Sequence, residues 1–524
     1  MPRPASALEP LVGRARLRHD PLIDGPLWMH IMAHVRMFDT CPSDSPAASI
    51  SPASKARDER RSRRSPPIRD TGLRSGPKRS RRPCRCARIA AALLALAFFA
   101  CDARSPERPV QGNPRLVPVG TGWAGTAINA TTFRQHALAS HNDTQYLAFY
   151  DPDGRVVLAR RTLGGNDWQT HRTELTGDVR DAHNAISIAI DGDGVLHMAW
   201  DHHGRPLNYV RATAPGALSL GERRAMTGEH ETHVTYPEFY NLDDGDLLFM
   251  YRFGAGPEGW TMLNRYVRAR GEWTIVQHAL LDGEHVRVPY TNQLAIDAQG
   301  RWHVSWVWRE NRGVESNHDL CYARSDDQGR TWLRSDGGAY SLPITQATSD
   351  IICPIHENSD LMNQCSTAVD SRGRPMVASY WRPAGSEVPQ YHLVWFDGAA
   401  WQVQQVSRRT TPFRLGGAGS KSVPIARPKL AVDRRDRVFM FFRDDERGGR
   451  ISVAICDDPQ RRDWRFIDLT DESFKRWEPL FDAPLWRRRG LLHLFAQPVG
   501  QGDAETTAAV GPQPVAVLEW TPPP

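Results

Sequence analysis

Four short stretches concentrate side chains that can move protons or hold charge. They are Arg180-Asp181-Ala182-His183-Asn184, Asp201-His202-His203, Thr235-Tyr236-Pro237-Glu238 with Tyr251-Arg252-Phe253, and Arg287-Val288-Pro289-Tyr290-Thr291-Asn292. Histidine titrates near neutral pH, a free phenol near ~10, and arginine is permanently charged with a fork that fits carboxylates. Together these types suit general acid–base work on an anionic substrate. His183 and His203 stand twenty residues apart and Tyr236 and Arg252 sixteen apart, as one short strand pair would arrange them. A lone histidine or tyrosine at a strand end is usually a satisfied structural group. The chemistry therefore depends on elements that bring the stretches together.

Those elements recur. An Asp/Gly turn leads into alternating apolar residues that end in an aromatic, and a second strand follows. The pattern occurs at 143–161, 191–212, 243–273, 297–332, 371–401, 433–464 and 487–520. Period-two alternation argues for strands over helices. Seven units spaced by roughly 40 to 60 residues predict an all-β, seven-bladed β-propeller with four-stranded antiparallel blades. The segment 116–133 is expected to close the ring against 514–520. From residue 107 onward no long amphipathic helix is expected, and Arg434-Arg435 and Arg487-Arg488-Arg489 read as solvated turns.

Ser325-Asp326-Asp327-Gln328-Gly329-Arg330-Thr331-Trp332 fits the Asp box S-x-D-x-G-x-T-W of sialidase-type propellers. Its Ser and Asp cap a tight hairpin, its Gly takes positive φ and its Trp packs between blades. The motif concerns fold, not chemistry. Over about 122–497 the chain also resembles the BNR-4-type propellers, among them the ulvan lyases. The resemblance is carried by TQYLAFYD (144–151), DAHNAISIAIDGDGVLHMAWDHH (181–203), VTYPEF (234–239), FMYRFG (249–254), VPYTNQLAID (288–297), HVSWVWRE (303–310), NQCSTAVDSRGRP (363–375) and FRDDERGG (442–449).

The resemblance implies a polysaccharide lyase that cleaves a uronic-acid-containing, sulfated glycan by β-elimination. It places the catalytic residues on His183, Tyr236 and Arg252, and a second histidine on His203. Arg252 would neutralise the C6 carboxylate or lower the Tyr236 phenol, and either His183 or Tyr236 would act as base or acid. Asn184, His203, Tyr290 and Arg309 are expected to bind substrate. Two alternatives stand beside it: a sialidase-like glycoside hydrolase, which would need three arginines around a carboxylate, and a non-catalytic glycan-binding lipoprotein.

The net charge of +6 does not describe the folded part. Between Lys55 and Arg88 fourteen Lys and Arg face three Asp and Glu, a local +11, so the rest of the chain carries −5. The basic excess lies in a Ser/Pro/Arg-rich stretch, and a nucleic-acid partner is not expected. The apolar run that follows, ending at Ala100-Cys101, has the order of a secretion signal and is too short for a membrane span of ~20 residues. The expected organisation is an extension over 1–80, a lipoprotein-type signal over 81–101 and the propeller over 107–522. The expected product is an exported monomer, anchored to a membrane through lipidated Cys101.

His318, Cys321, Cys353, His356 and Cys365 form a last cluster. Cys and His are the preferred ligands of structural zinc, and H-x2-C with C-x2-H could close a tetrahedral site. A Cys353–Cys365 disulfide, with His318 facing the groove, is the other reading. Tyr, His and Arg chemistry calls for no catalytic cofactor.

Overall fold

The computed structural model describes residues 113–523, which lie in the compact unit Cys101–Pro524. The expected extension, the signal segment and Cys101 fall outside the described residues. Seven antiparallel sheets follow one another along the chain as the blades of a propeller. Blade 1 comprises Leu138–His141, Thr144–Tyr150, Arg155–Thr162 and Gln169–Thr176. Blade 2 has Ser187–Ile190, Leu196–Ala199 and Tyr209–Arg211. Its fourth position is reduced to the bridge Ala212–Leu220. Blade 3 has Val234–Asn241, Leu247–Phe253, Trp260–Val267 and Glu272–Gln277, and His203–Arg205 adds to its inner edge.

Blade 4 runs from Val288–Thr291 and Ala295–Ile296 through Trp302–Arg309 and Asn317–Ser325 to Asp350–Cys353. Blades 5 and 6 are regular four-stranded sheets over 366–405 and 429–468. Blade 7 joins Leu492–Ala496 and Gln513–Trp520 to the N-terminal strand Arg115–Gly122, in a register that sets Arg115 opposite Glu519. The ring closes as expected, by pairing the two ends of the propeller.

One turn chemistry is repeated from blade to blade. The Oδ1 atoms of Asp151, Asp191, Asp297, Asp370 and Asp433 each accept from the backbone N–H groups two and four residues on. This satisfies donors that a two-stranded turn would otherwise leave open. The Asp box behaves as its sequence requires. The Ser325 hydroxyl accepts from Gly329 N at 2.7 Å, Asp327 accepts from Thr331 N at 2.9 Å, and Trp332 is fully buried. Trp332 packs with Trp302, Trp306 and Trp308 in the seam between blades 3 and 4.

The apolar core is divided among such seams, with separate clusters between blades 1 and 2, 2 and 3, 4 and 5, and 5 and 6. Each fully buried Leu, Ile or Phe contributes about 1.5–3 kcal/mol of transfer free energy. Arg487 to Arg489 are not a turn. They end the single short α-helix among the described residues, Ala483–Arg489, whose start is capped by Asp482. Arg488 donates to the Ser140 carbonyl and Arg489 to Asp143, so the run ties this helix to blade 1.

Candidate active site

The inner strands and their entry turns open onto a cavity of about 710 Å³. His183, His203, Tyr236, Arg252, Tyr290 and Arg309 all line it. His183 sits in the one-turn 3-10 helix Ala182–Asn184, which Asp181 caps by accepting from His183 N at 2.9 Å. The same carboxylate receives both imidazoles: His183 Nδ1 lies 2.7 Å from Asp181 Oδ1 and His203 Nδ1 2.6 Å from Oδ2. The two rings stack at 4.0 Å.

Asp181 is held far below the usual carboxylate range: burial opposes this, but the bonds to His183 and His203 prevail. An ionised carboxylate only accepts, so each Nδ1 donates to Asp181, and a neutral His183 ring keeps its lone pair on Nε2. Burial lowers the His183 pKa from 6.5, the Asp181 bond opposes, and the His203 charge lowers it further. At neutral pH His183 is an unprotonated base.

Tyr236 is brought to the cavity by a backbone irregularity. The register between Val234–Asn241 and Leu247–Phe253 slips between Thr235 and Glu238, and Tyr236 takes φ +56°. A left-handed tyrosine costs on the order of 1–3 kcal/mol, and a bulge re-aims the side chain it carries. The ring lies 5.6 Å from His183, with Phe133 at 5.5 Å from His183 and 5.4 Å from Tyr236. Burial and the neighbouring Tyr290 push the Tyr236 phenol up, against Arg252, Arg309 and Arg427, so it rests protonated.

Arg252 stands 5.2 Å over the Tyr236 ring and 5.6 Å over Tyr290. Its Nε and Nη1 are buried with no partner. Leaving a buried donor open costs about 1–3 kcal/mol, more when it is charged, so this guanidinium is set to receive an anion.

The other arginines of the cavity are engaged. Arg309 donates to Asn317 at 2.8 Å, Asn363 at 2.7 Å and the Tyr290 hydroxyl at 3.2 Å. Its guanidinium sits 4.1 Å over the Tyr290 ring. Burial raises the Tyr290 phenol, but Arg309 and Arg252 outweigh it and lower its pKa. Arg309 thus holds Tyr290 in place, and both side chains line the cavity. Arg427 is tied to Glu478 at 2.8 Å and the Asn363 carbonyl at 2.9 Å, and Arg443 to the carbonyls of Pro424 and Val423.

Asn184 does not line the cavity. It is fully buried and donates to the Asp178 carbonyl at 3.1 Å, which corrects its expected substrate role. His202 is also structural, its Nε2 accepting from Asn208 N at 2.8 Å. Asp181 joins the expected residues as a functional group, and its signal in the sequence is D-x-H before a short turn, a capping pattern. Phe133 and Glu505, the latter 3.4 Å from His183 Nδ1, come from connections that carry no local signal.

The five expected zinc ligands do not converge. Cys353 stands opposite Leu320 in the strand register and packs between blades 4 and 5, whereas Cys321 packs between blades 3 and 4. Cys365 belongs to the seam of blades 5 and 6, and His356 is exposed. His318 is held by Glu310 at 2.8 Å and Asp319 at 3.0 Å, and it is Glu310, not His318, that lines the cavity. Burial pushes the Cys353 thiol up to about 11 and the Cys365 thiol to about 12. All four described cysteines are free, so the Cys353–Cys365 disulfide does not form either. Residues three apart on a strand face opposite sides, which is why H-x2-C does not make a ligand pair here.

The sequence profile of the BNR repeat-containing family matches residues 144–409. An ulvan lyase of Nonlabens ulvanivorans is 24% identical over 325 residues, covering 52% of this chain and 66% of its own. An ulvan lyase of Alteromonas sp. (strain LOR) is 23% identical over 325 residues, covering 53% and 66%. The chain thus spans just under two thirds of the length of these relatives. Among solved structures, a PL25 ulvan lyase superposes with a TM-score of 0.56 at 15% identity, covering 78% of this chain and 96% of that one. The polysaccharide lyase Uly1 does so with 0.57 at 14%, covering 78% and 99%. At these identities the structures show a common fold.

Proposed function

This chain belongs to the BNR repeat-containing family, and from that premise we propose that it is a polysaccharide lyase acting by β-elimination on a uronate-containing, sulfated glycan of the ulvan kind. The observation that carries the reading is the Arg252 guanidinium, buried and half-unpaired, beside a protonated tyrosine and an unprotonated histidine. The relatives named as ulvan lyases support it.

In this reading Arg252 binds the C6 carboxylate and so acidifies the C5 proton. His183 Nε2 takes that proton while Asp181 holds the imidazolium that forms. The C5–H electrons become the C4–C5 double bond, the C4–O4 bond breaks, and the Tyr236 hydroxyl gives its proton to O4. Arg252, over the Tyr236 ring, stabilises the phenolate left behind, and proton exchange with His183 or solvent restores both groups. His203 stacks on His183 and shares its carboxylate, which fixes the ring. Lys421 and Arg312 at the cavity rim suit a sulfate.

A sialidase-like hydrolase would need three free guanidiniums on one carboxylate. Arg309, Arg427 and Arg443 are each taken by protein partners, which weighs against it. The reading includes export through 81–101 and anchoring at Cys101.

Incubation with ulvan decides the reaction. The ultraviolet absorbance of the unsaturated product should rise and be lost in Tyr236→Phe. New reducing ends without absorbance would mean hydrolysis, and binding without cleavage would mean a glycan-binding module.

A further inference from the structure

Glu229, His230 and His278 present one ligand atom each, all within 4.8 Å of one another. They come from two separate segments. Glu229 and His230 lie in the connection that leads into Val234–Asn241, and His278 follows the outer strand Glu272–Gln277 of the same blade. Two imidazoles and one carboxylate are the donor set that suits a borderline-soft divalent transition metal of the zinc class, with further positions left open to solvent.

The segment that carries them is built before any metal arrives. The Glu231 carboxylate accepts from the backbone N–H groups of Met226 at 3.1 Å, Thr227 at 2.7 Å and Gly228 at 3.1 Å. Gly228 (φ +82°) and His230 (φ +56°) bracket Glu229 in the left-handed region. The Tyr251 hydroxyl donates to the His230 carbonyl at 3.1 Å. Phe253 and Trp260 wall the His230 ring at 5.1 and 5.7 Å, and His278 meets it edge-on at 5.4 Å. Among the described residues no hydrogen-bond donor or acceptor pairs with either imidazole, so their nitrogens are available as ligands. Glu229 and His278 also border a cleft of about 600 Å³ along the edge of blade 3, which gives an ion a way in.

The geometry points to a divalent transition-metal site at Glu229, His230 and His278 that staples the 221–233 segment to the rim of blade 3. This site is separate from the active-site cavity, and the residues on either side of the staple say what it would do. His230 precedes Tyr236 by six residues, and its carbonyl accepts from the hydroxyl of Tyr251, the residue before Arg252. A bound ion would hold the entry to the strand that aims Tyr236, and it would stabilise the folded chain by mass action.

Co²⁺ is the probe, because its visible spectrum reports ligand number and type. The full chain, stripped with chelator, should bind Co²⁺ with a ligand-field spectrum, and Zn²⁺ should displace it. Zn²⁺ should also raise the melting temperature and slow proteolysis within 221–233. Loss of an outer-shell partner alone weakens metal sites by about 10–100-fold, so His278→Gln and Glu229→Gln should each weaken Co²⁺ by at least about tenfold. Both side chains are exposed, so neither change should unfold the blade. Asp181, His183 and His203 form the other close group of such side chains among the described residues, and His203→Gln should leave the Co²⁺ spectrum unchanged. Absence of Co²⁺ binding, binding unchanged in His278→Gln, or binding lost in His203→Gln would each overturn the proposal.

Discussion

An ionised carboxylate accepts hydrogen bonds and donates none, so Asp181 decides which nitrogen of His183 carries the proton. Asp181→Asn would offer an amide that can donate as well as accept, and the wrong tautomer would be populated. A steady-state assay should show kcat lower by at least about 100-fold with KM changed little, as expected when a base is mis-set and binding is not. The pH dependence follows from direction alone. His183 acts unprotonated and its pKa lies below 6.5, so the acidic limb of kcat/KM should have its midpoint below pH 6.5. A decline centred above 6.5 would remove His183 as the base. Arg252→Gln should raise KM for the uronate polymer and lower kcat, since the carboxylate is bound in the ground state and more charge develops in the transition state.

At the scale of the element, turns and seams hold the strands that present these groups. Trp332 closes the Asp-box hairpin and is fully buried among the tryptophans of blades 3 and 4. Trp332→Ala should cost about 3–5 kcal/mol, read as a lower denaturant midpoint with an unchanged slope. The repeated Asp/Gly turns and the alternation after them were legible in the sequence because the chemistry is local: the Asp caps N–H groups two and four residues on. The bulge at Tyr236 was not legible. Its φ of +56° is imposed by pairing with Leu247–Phe253 on one side and His203–Arg205 on the other. Arg487 to Arg489 carry no helical signal in the sequence, since a seven-residue helix is too short to show a period and its cap at Asp482 is shared with blade 1 through Ser140 and Gln145.

For the whole propeller, closure and buried histidines set the behaviour. Arg115–Gly122 completes blade 7 from the far end of the chain, so deletion of 113–122 should abolish a single cooperative unfolding transition, as followed by calorimetry. His136, His202 and His392 are each lowered to about 3, first by burial. Between about pH 6.5 and 3 the unfolded chain binds protons that the folded one refuses, so stability must fall as the pH falls through that window. Each histidine contributes up to about 1.4 kcal/mol per pH unit there, and denaturation midpoints at pH 7 and pH 5 should differ accordingly.

The sequence by itself determined what repeats or what acts within a few residues. Seven turn-and-strand units, the Asp box and the closing pair of termini are carried by periodicity and local capping, and each recurs wherever its residues do. Tertiary structure decided which side chains meet. Asn184 and His202 sit one residue from His183 and His203, yet burial turns them to backbone partners. Three cysteines and two histidines with inviting spacing do not converge, because the cysteines fall in three different seams and His356 is exposed. Arg252 alone among the cavity's buried arginines, within the described residues, keeps nitrogens unpaired. The physical reason is the same in each case. A polar side chain takes whichever partner its burial leaves in reach, and that partner comes from another blade, at a distance along the chain that no local pattern records.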